Sequence, residues 1–208
     1  LDAADATEKW NIAIGLDAMT TNTTGAQNTA VGTSALSLNS TGAYSVAIGY
    51  EALKAQTTAT SNVAVGWQAG LATTTGASNA FLGQYAGAAN TTGAYNTFVG
   101  ALSGDANTTA DNNTAVGYLS LSGNTTGEYN VAVGATAGDA ITTGSLNTAI
   151  GYYALSAATT ADSNTAIGGQ ALAVNTSGGS NTAVGMNSMV TNTTGANNVA
   201  VGALALDA

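Results

Sequence analysis

Residues 62–78 read Asn62-Val63-Ala64-Val65-Gly66-Trp67-Gln68-Ala69-Gly70-Leu71-Ala72-Thr73-Thr74-Thr75-Gly76-Ala77-Ser78, and at Asn79 the phrase begins again. Its most regular mark is the Gly that ends the short apolar run. Gly15, Gly32, Gly49, Gly66, Gly83, Gly100, Gly117, Gly134, Gly151, Gly168, Gly185 and Gly202 follow at steps of 17, with no insertion or deletion. The consensus is Asn-(Thr/Val)-Ala-(Val/Ile)-Gly-x-x-Ala-(Leu/Gly)-x-x-Asn-Thr-Thr-Gly-x-x. Seventeen residues are too few for two helices and a turn, and the copies lack a 3.6-residue pattern. Gly and paired Thr are poor helix formers. The run before the Gly alternates like a short strand. Seventeen extended residues trace about 56 Å, enough for one closed rung folded back once into two short sides. The chain therefore reads as all-β, a parallel β-solenoid of twelve 17-residue rungs about 58 Å long. Residues 1–10 form a degenerate lead-in, and residues 11–208 form one solenoid array.

Equal rung lengths keep like residues in register, so each position can be given a side. The residue before the Gly is always aliphatic, and the one before that is Ala in ten copies and Phe81 or Phe98 in the others. Neighbours on a strand face opposite ways. Small Ala suits a thin interior. The aliphatic ladder, widened by Ile12, Val46, Val63, Val131 and Val199, is then expected outside. A stripe of that length should not stay in water, and burial against other chains is the expected solution. The inverse assignment, aliphatics in and Ala out, is the alternative.

Departures from the consensus are informative. Gly70, Gly87, Gly104 and Gly138 stand where other copies have Leu or Met. Phe81 and Phe98 follow Gly70 and Gly87 within their repeats and read as volume exchange, since a dense core must refill a lost Leu. Gly104 and Gly138 lack such a partner on this reading. Phe81→Ala is expected to destabilise by about 3–5 kcal/mol if the ring is buried. Asn leads the strand in eleven copies, with Ser45 the exception, and should form a ladder that ties off a turn. The Asn-Thr-Thr-Gly segment reads as the second corner, with Gly supplying positive φ. That Gly is missing at Glu8, Ala59, Ala110 and Ala161, 51 residues apart. Duplication in three-rung units follows, and a different corner is expected on every third rung, with positive φ moved along to Asp, Ser or Asn.

Composition removes many functions. The chain of 208 residues has no Cys, His or Pro, two Lys plus Arg and eleven Asp plus Glu, for a net charge of −9. Disulfides, thiolates, imidazole bases and the usual zinc sites are excluded. No basic face exists for nucleic acid or an anionic membrane surface. No apolar run is long enough to span a bilayer. No signal peptide is visible and the first residue is not Met, so the chain reads as a segment of something longer. Asp105 and Asp139 share a register two rungs apart, too far to share one calcium. Asp2, Asp5 and Glu8 read as a solvated terminus. Lys9 and Lys54 have Ser or Thr neighbours but no site around them, and no nucleophile elbow or phosphate loop occurs. Eight Asn-x-Ser/Thr sequons, seven at one corner (Asn22, Asn90 and Asn192 among them), follow from the repeat itself. No catalytic, cofactor-binding or metal-binding residue is assigned, and no cofactor is expected.

Aromatics fall in two registers. Trp10, Tyr44, Tyr95 and Tyr129 precede the leading Asn, and Tyr50, Trp67, Tyr118 and Tyr152 follow the Gly. Corner and interface packing is one role for them; stacking on sugars is the other.

The phrases Ser45-Val46-Ala47-Ile48-Gly49 and Asn62-Val63-Ala64-Val65-Gly66 resemble the repeat of trimeric autotransporter adhesin heads. The longer phrase is similar to arrays in phage tail fibres and related trimeric fibre proteins. The resemblance covers residues 11–208. It implies a homotrimer of left-handed parallel β-rolls, with apolar strand residues facing the three-fold axis. The period of 17 is longer than that of those heads, and no stalk, anchor or tip domain is visible. On this resemblance the chain is expected to be a non-catalytic structural segment of an extracellular fibre, on a cell surface or a virion. Its partners would be two further copies and a surface glycan or protein receptor. An ice-binding β-solenoid with Thr ladders (Thr57, Thr74, Thr91) is the rival; against it, extended Thr pairs point to opposite faces and leave a single row.

Overall fold

A computed structural model describes residues 9–207; the acidic lead-in positions Asp2, Asp5 and Glu8 lie outside the described residues. Twelve strands of three residues each, β1 (Ile12–Ile14) to β12 (Val199–Val201), form one parallel sheet in chain order. Every pairing is offset by one repeat: Ala13 faces Ala30, Ala30 faces Ala47, and Ala183 faces Ala200. Each strand bonds both ways. The Val46 N–H donates to the Asn62 carbonyl at 2.8 Å, and the Gly49 N–H to the Val31 carbonyl at 2.8 Å. Strands this short have no independent stability, and stacking on neighbours supplies it. Only one side of each rung is strand. The return side runs through turns and bends, whose N–H groups also reach the next rung, as Leu36 N–H does to the Ala52 carbonyl at 3.1 Å.

The Ala ladder lies inside and the aliphatic ladder outside. Ala30, Ala47, Ala64, Phe81 and Phe98 are wholly buried, whereas Leu82 is 50% and Val201 71% exposed. Across the thin interior the Ala ladder meets Leu36, Leu53, Leu121, Leu155 and Leu172. These Leu occupy left-handed backbone, with φ of 51° at Leu36 and 49° at Leu53. That conformation costs about 1–2 kcal/mol per residue. Burying a Leu side chain contributes about 1.5–3 kcal/mol, so burial offsets the strain.

Where the interior is filled otherwise, Gly takes this position at φ near 60°. A Cβ on Gly70 would lie 2.7 Å from the Phe81 ring, one on Gly87 2.5 Å from it, and one on Gly104 2.6 Å from Phe98. At Gly138 the neighbour is the Ile141 side chain, 3.0 Å from such a Cβ. The volume exchange therefore covers all four glycines, including the two that sequence spacing left without partners. Phe81 fills Gly87 in its own rung and Gly70 in the rung before, Phe98 fills Gly104 rather than Gly87, with which the spacing had paired it, and Ile141 replaces a corner Asn. The two rings stack at 5.6 Å.

The glycine ending each strand has φ of 127–144°. A Cβ on Gly83 would stand 2.5 Å from the Gly100 carbonyl oxygen, so only Gly stacks here.

Two Asn ladders run inside the roll. In the first, at the strand start, the Asn130 backbone N–H donates to Asn113 Oδ1 at 2.8 Å. Its own Nδ2 donates to the Gly144 carbonyl at 2.8 Å, and its Oδ1 accepts the Asn147 N–H at 3.0 Å. In the second, at the corner, Asn107 Nδ2 donates to Asn90 Oδ1 at 2.8 Å and to the Ala110 carbonyl at 3.2 Å. The second ladder is interrupted by Gln56, Thr73, Ile141 and Ala158.

The corner differs from its expectation. Neither the Gly of Asn-Thr-Thr-Gly nor its Ala replacements have positive φ. Positive φ falls on the residue before the strand Asn in every rung: 59° at Tyr95 and 60° at Asn112, the latter in a rung with Ala110. Positive φ thus does not move in the Ala rungs. What differs there is the bonding: the second N–H of the pair reaches the next rung in Gly rungs, as Thr92 N–H does to the Thr108 carbonyl at 3.3 Å, and the Ala59, Ala110 and Ala161 rungs keep only the first, as Thr108 N–H to the Thr125 carbonyl at 3.1 Å. The Gly is retained for clearance, since a Cβ on Gly93 would stand 2.5 Å from the Ala110 carbonyl and also collide with Asn90 Oδ1. In the Ala59 and Ala161 rungs that Asn is replaced by Gln56 and Ala158. Nothing in the structure explains Ala110, whose rung keeps Asn107.

Candidate binding surface

The outer face of the sheet is made of the two strand positions that point away from the Ala ladder. Ile14 is 60% exposed, and Val63, Leu82, Val116, Ile150 and Ile167 follow along the same face. The column before the Gly is aliphatic in every strand, while the column two residues earlier is Thr in six of them: Thr29, Thr97, Thr114, Thr148, Thr165 and Thr182. Exposed aromatics border it: Tyr44, Tyr95 and Tyr129 before the strand, Tyr50, Trp67, Tyr118 and Tyr152 after the Gly.

Rungs three to five depart from this regularity. The Tyr50 and Trp67 rings, one repeat apart, are near-parallel at 6.1 Å and 19°. Tyr85 meets Trp67 edge-on at 4.6 Å. Beside them the Glu51 carboxylate accepts bonds from Lys54 Nζ and Gln68 Nε2, both at 2.6 Å. Lys54 first, then Gln68, hold the Glu51 carboxyl below the usual carboxylate range, and Glu51 in turn raises the Lys54 ammonium. The register placed Tyr50 and Trp67 together. It missed Tyr85, Glu51 and Gln68, although the 17-residue separation of Glu51 and Gln68 was the available signal.

The other singled-out residues are dispersed. Asp105 and Asp139 each bury one carboxylate oxygen without a hydrogen-bond partner, and desolvation pushes both carboxyls up. Lys9 Nζ donates to the Thr23 carbonyl at 2.7 Å. The sequon residues Asn39, Asn90, Asn107, Asn124 and Asn175 are wholly buried in the second ladder, so the folded rung hides their amides from modification. No group of three His, Cys, Asp or Glu that could hold a metal exists among the described residues. A cavity of about 320 Å³ beside Met189, Asn192 and Leu206 has no titratable group in its lining. No helix among the described residues is long and apolar enough to cross a membrane.

The Thr pairs at the corner lie on the outside together, Thr91 half-buried and Thr92 exposed. The single row expected for extended Thr is replaced by two rows, because this segment is a bend. The first hydroxyl of most pairs is engaged: Thr91 Oγ1 donates to the Thr108 carbonyl at 3.0 Å, and Thr125 Oγ1 to the Thr142 carbonyl at 3.1 Å.

No family model, curated protein or solved structure matches this chain, which leaves its repeat geometry and its outer face as the ground for a functional reading.

Proposed function

We propose that the chain is a non-catalytic structural segment of an extracellular homotrimeric fibre, a left-handed β-roll used for attachment, on a virion tail or a cell surface. The observation that carries this reading is the exposed aliphatic face. One of its two columns is aliphatic in all twelve strands, from Ile14 to Val201, a stripe about 58 Å long from strand spacing; the other mixes Val or Ile with Thr, as at Val63 and Thr97. An apolar stripe of that length favours burial against another surface. Three identical faces meeting about a common axis bury it in every rung without requiring a different partner. The in-register sheet suits that closure, because each rung places an aliphatic side chain before its Gly on the same face. The resulting rod holds its shape through bonds between rungs and apolar contact between chains. The acidic balance limits non-specific binding to anionic polymers.

Since the chain has no Cys, a single Val116→Cys reports directly on the face. A short bismaleimide should link chains through this position and leave Thr92→Cys, at the exposed corner, unlinked. Equal linking at both positions, or at neither, sinks the trimer-axis assignment.

Ice binding is the second reading, favoured by the two outward Thr rows. It is weakened by the first row, most of whose hydroxyls already donate to the next rung. Thermal hysteresis in solution would establish it over the fibre reading.

A further inference from the structure

We infer that the Tyr50–Trp67–Tyr85 cluster, with Glu51 and Gln68, is a binding site for a neutral glycan chain. The inference deepens the attachment part of the fibre proposal but does not depend on the number of chains. In an array whose common residues build the rung, chemistry resides in the departures. Here three aromatic rings, a carboxylate, an ammonium and an amide gather within three rungs.

Geometry selects the ligand class. The centroid distance of 6.1 Å is well beyond the roughly 3.5–4.0 Å of direct face contact, so Tyr50 and Trp67 do not cover each other face to face. Tyr50 is 44% and Trp67 41% exposed. A pyranose presents polarised C–H bonds on its flat face, which suit the electron-rich face of an aromatic ring. Its rim of hydroxyls needs fixed acceptors and donors. Glu51, held ionised and clamped from two sides, is such an acceptor, and Gln68 is bound in place beside Trp67. Tyr85 packs against Trp67 at 4.6 Å and 80° and fixes its orientation.

Other ligands fit less well. A purely apolar protein surface would leave Glu51 and Lys54 stranded, since interface cores are depleted of charge. A quaternary ammonium would suit an aromatic cage with a free carboxylate, but Lys54 already neutralises this one. An acidic sugar is disfavoured by two cations against eleven acids.

The test uses intrinsic fluorescence. The chain has two Trp, so Trp10→Phe leaves Trp67 as the sole reporter. It is titrated with tetrasaccharides of β-1,4-linked glucose, N-acetylglucosamine and mannose, with oligogalacturonate, and with choline. The inference expects a saturable emission change at millimolar or lower concentration with at least one neutral tetrasaccharide. Adding Tyr50→Ala should weaken that binding about tenfold, Tyr50→Phe should retain it, and Glu51→Gln should weaken it less than Tyr50→Ala. It is overturned if no neutral sugar saturates, if oligogalacturonate or choline binds in their place, or if Tyr50→Ala binds as well as its parent. Light scattering on the same samples separates the two proposals. A trimer without sugar binding removes this one alone, and a monomer with sugar binding removes only the trimer.

Discussion

The two Asn ladders use the same side chain at the same 17-residue interval, yet one tolerates interruption and the other scarcely does. The difference lies in what each amide satisfies. The strand-start Asn serves the backbone twice, closing a corner carbonyl and accepting the next rung's N–H. The corner Asn shares that same carbonyl: the Ala110 oxygen accepts Asn96 Nδ2 at 2.8 Å and Asn107 Nδ2 at 3.2 Å. The remaining partners of the corner Asn are largely other corner Asn. Where Ile141 and Ala158 replace the corner Asn in adjacent rungs, the Gly144 and Ala161 carbonyls keep their bonds from Asn130 and Asn147. Removing both members of a side-chain pair costs little, whereas orphaning one buried backbone group costs its full desolvation. Thr73 shows a half-made replacement, a polar residue whose buried Oγ1 has no partner.

Substitutions grade this contrast, measured as denaturation midpoints at one chain concentration, because assembly would couple stability to concentration. Phe81→Ala is the apolar yardstick, with an expected loss of about 3–5 kcal/mol. Asn130→Ala should approach it, near 3 kcal/mol, because it orphans the Gly144 carbonyl and the Asn147 N–H together. Asn175→Ala should cost about 2 kcal/mol, more than its ladder-mates. In its rung Asn164 turns to the Asp162 carbonyl instead, so Asn175 holds the Gly178 carbonyl alone. Asn107→Ala should cost about 1 kcal/mol, since Asn96 still satisfies Ala110. If Asn107→Ala equals or exceeds Asn130→Ala, the ranking of the ladders is wrong.

The smallest expected effect has the opposite sign. Burial raises the Asp105 and Asp139 carboxyls above the ordinary value. The folded state then binds their protons more tightly than the unfolded chain does. The contribution of these two groups to stability should therefore rise as pH falls from neutral through their raised folded-state values, and level off below the ordinary carboxylate range, while the lowered Glu51 carboxyl acts in the opposite direction. The double change Asp105→Asn with Asp139→Asn should raise the midpoint slightly at neutral pH and flatten that pH dependence. A lowered midpoint would mean the charges are stabilised by contacts not seen here.

The rungs, the strand positions and the inward Ala ladder were all legible in the sequence, because period and alternation report directly on register and side. Backbone conformation was less so. Tyr95, Leu36 and Leu53 carry positive φ that no composition rule would assign to them, and stacked neighbours impose it. The clearance role of Gly93 was likewise hidden, since the clashing carbonyl belongs to Ala110 in the next rung. Pairing Glu51 with Gln68 required reading departures from the consensus across rungs rather than within one.

The exposed aliphatic face is the centre of the account, and the solution mass tests it most directly. Light scattering on a size-exclusion column should give about 60 kDa, three times the chain mass of 20.1 kDa. A species of 20.1 kDa, stable and monodisperse at the same concentration, would contradict the trimer and leave the outer face open to water.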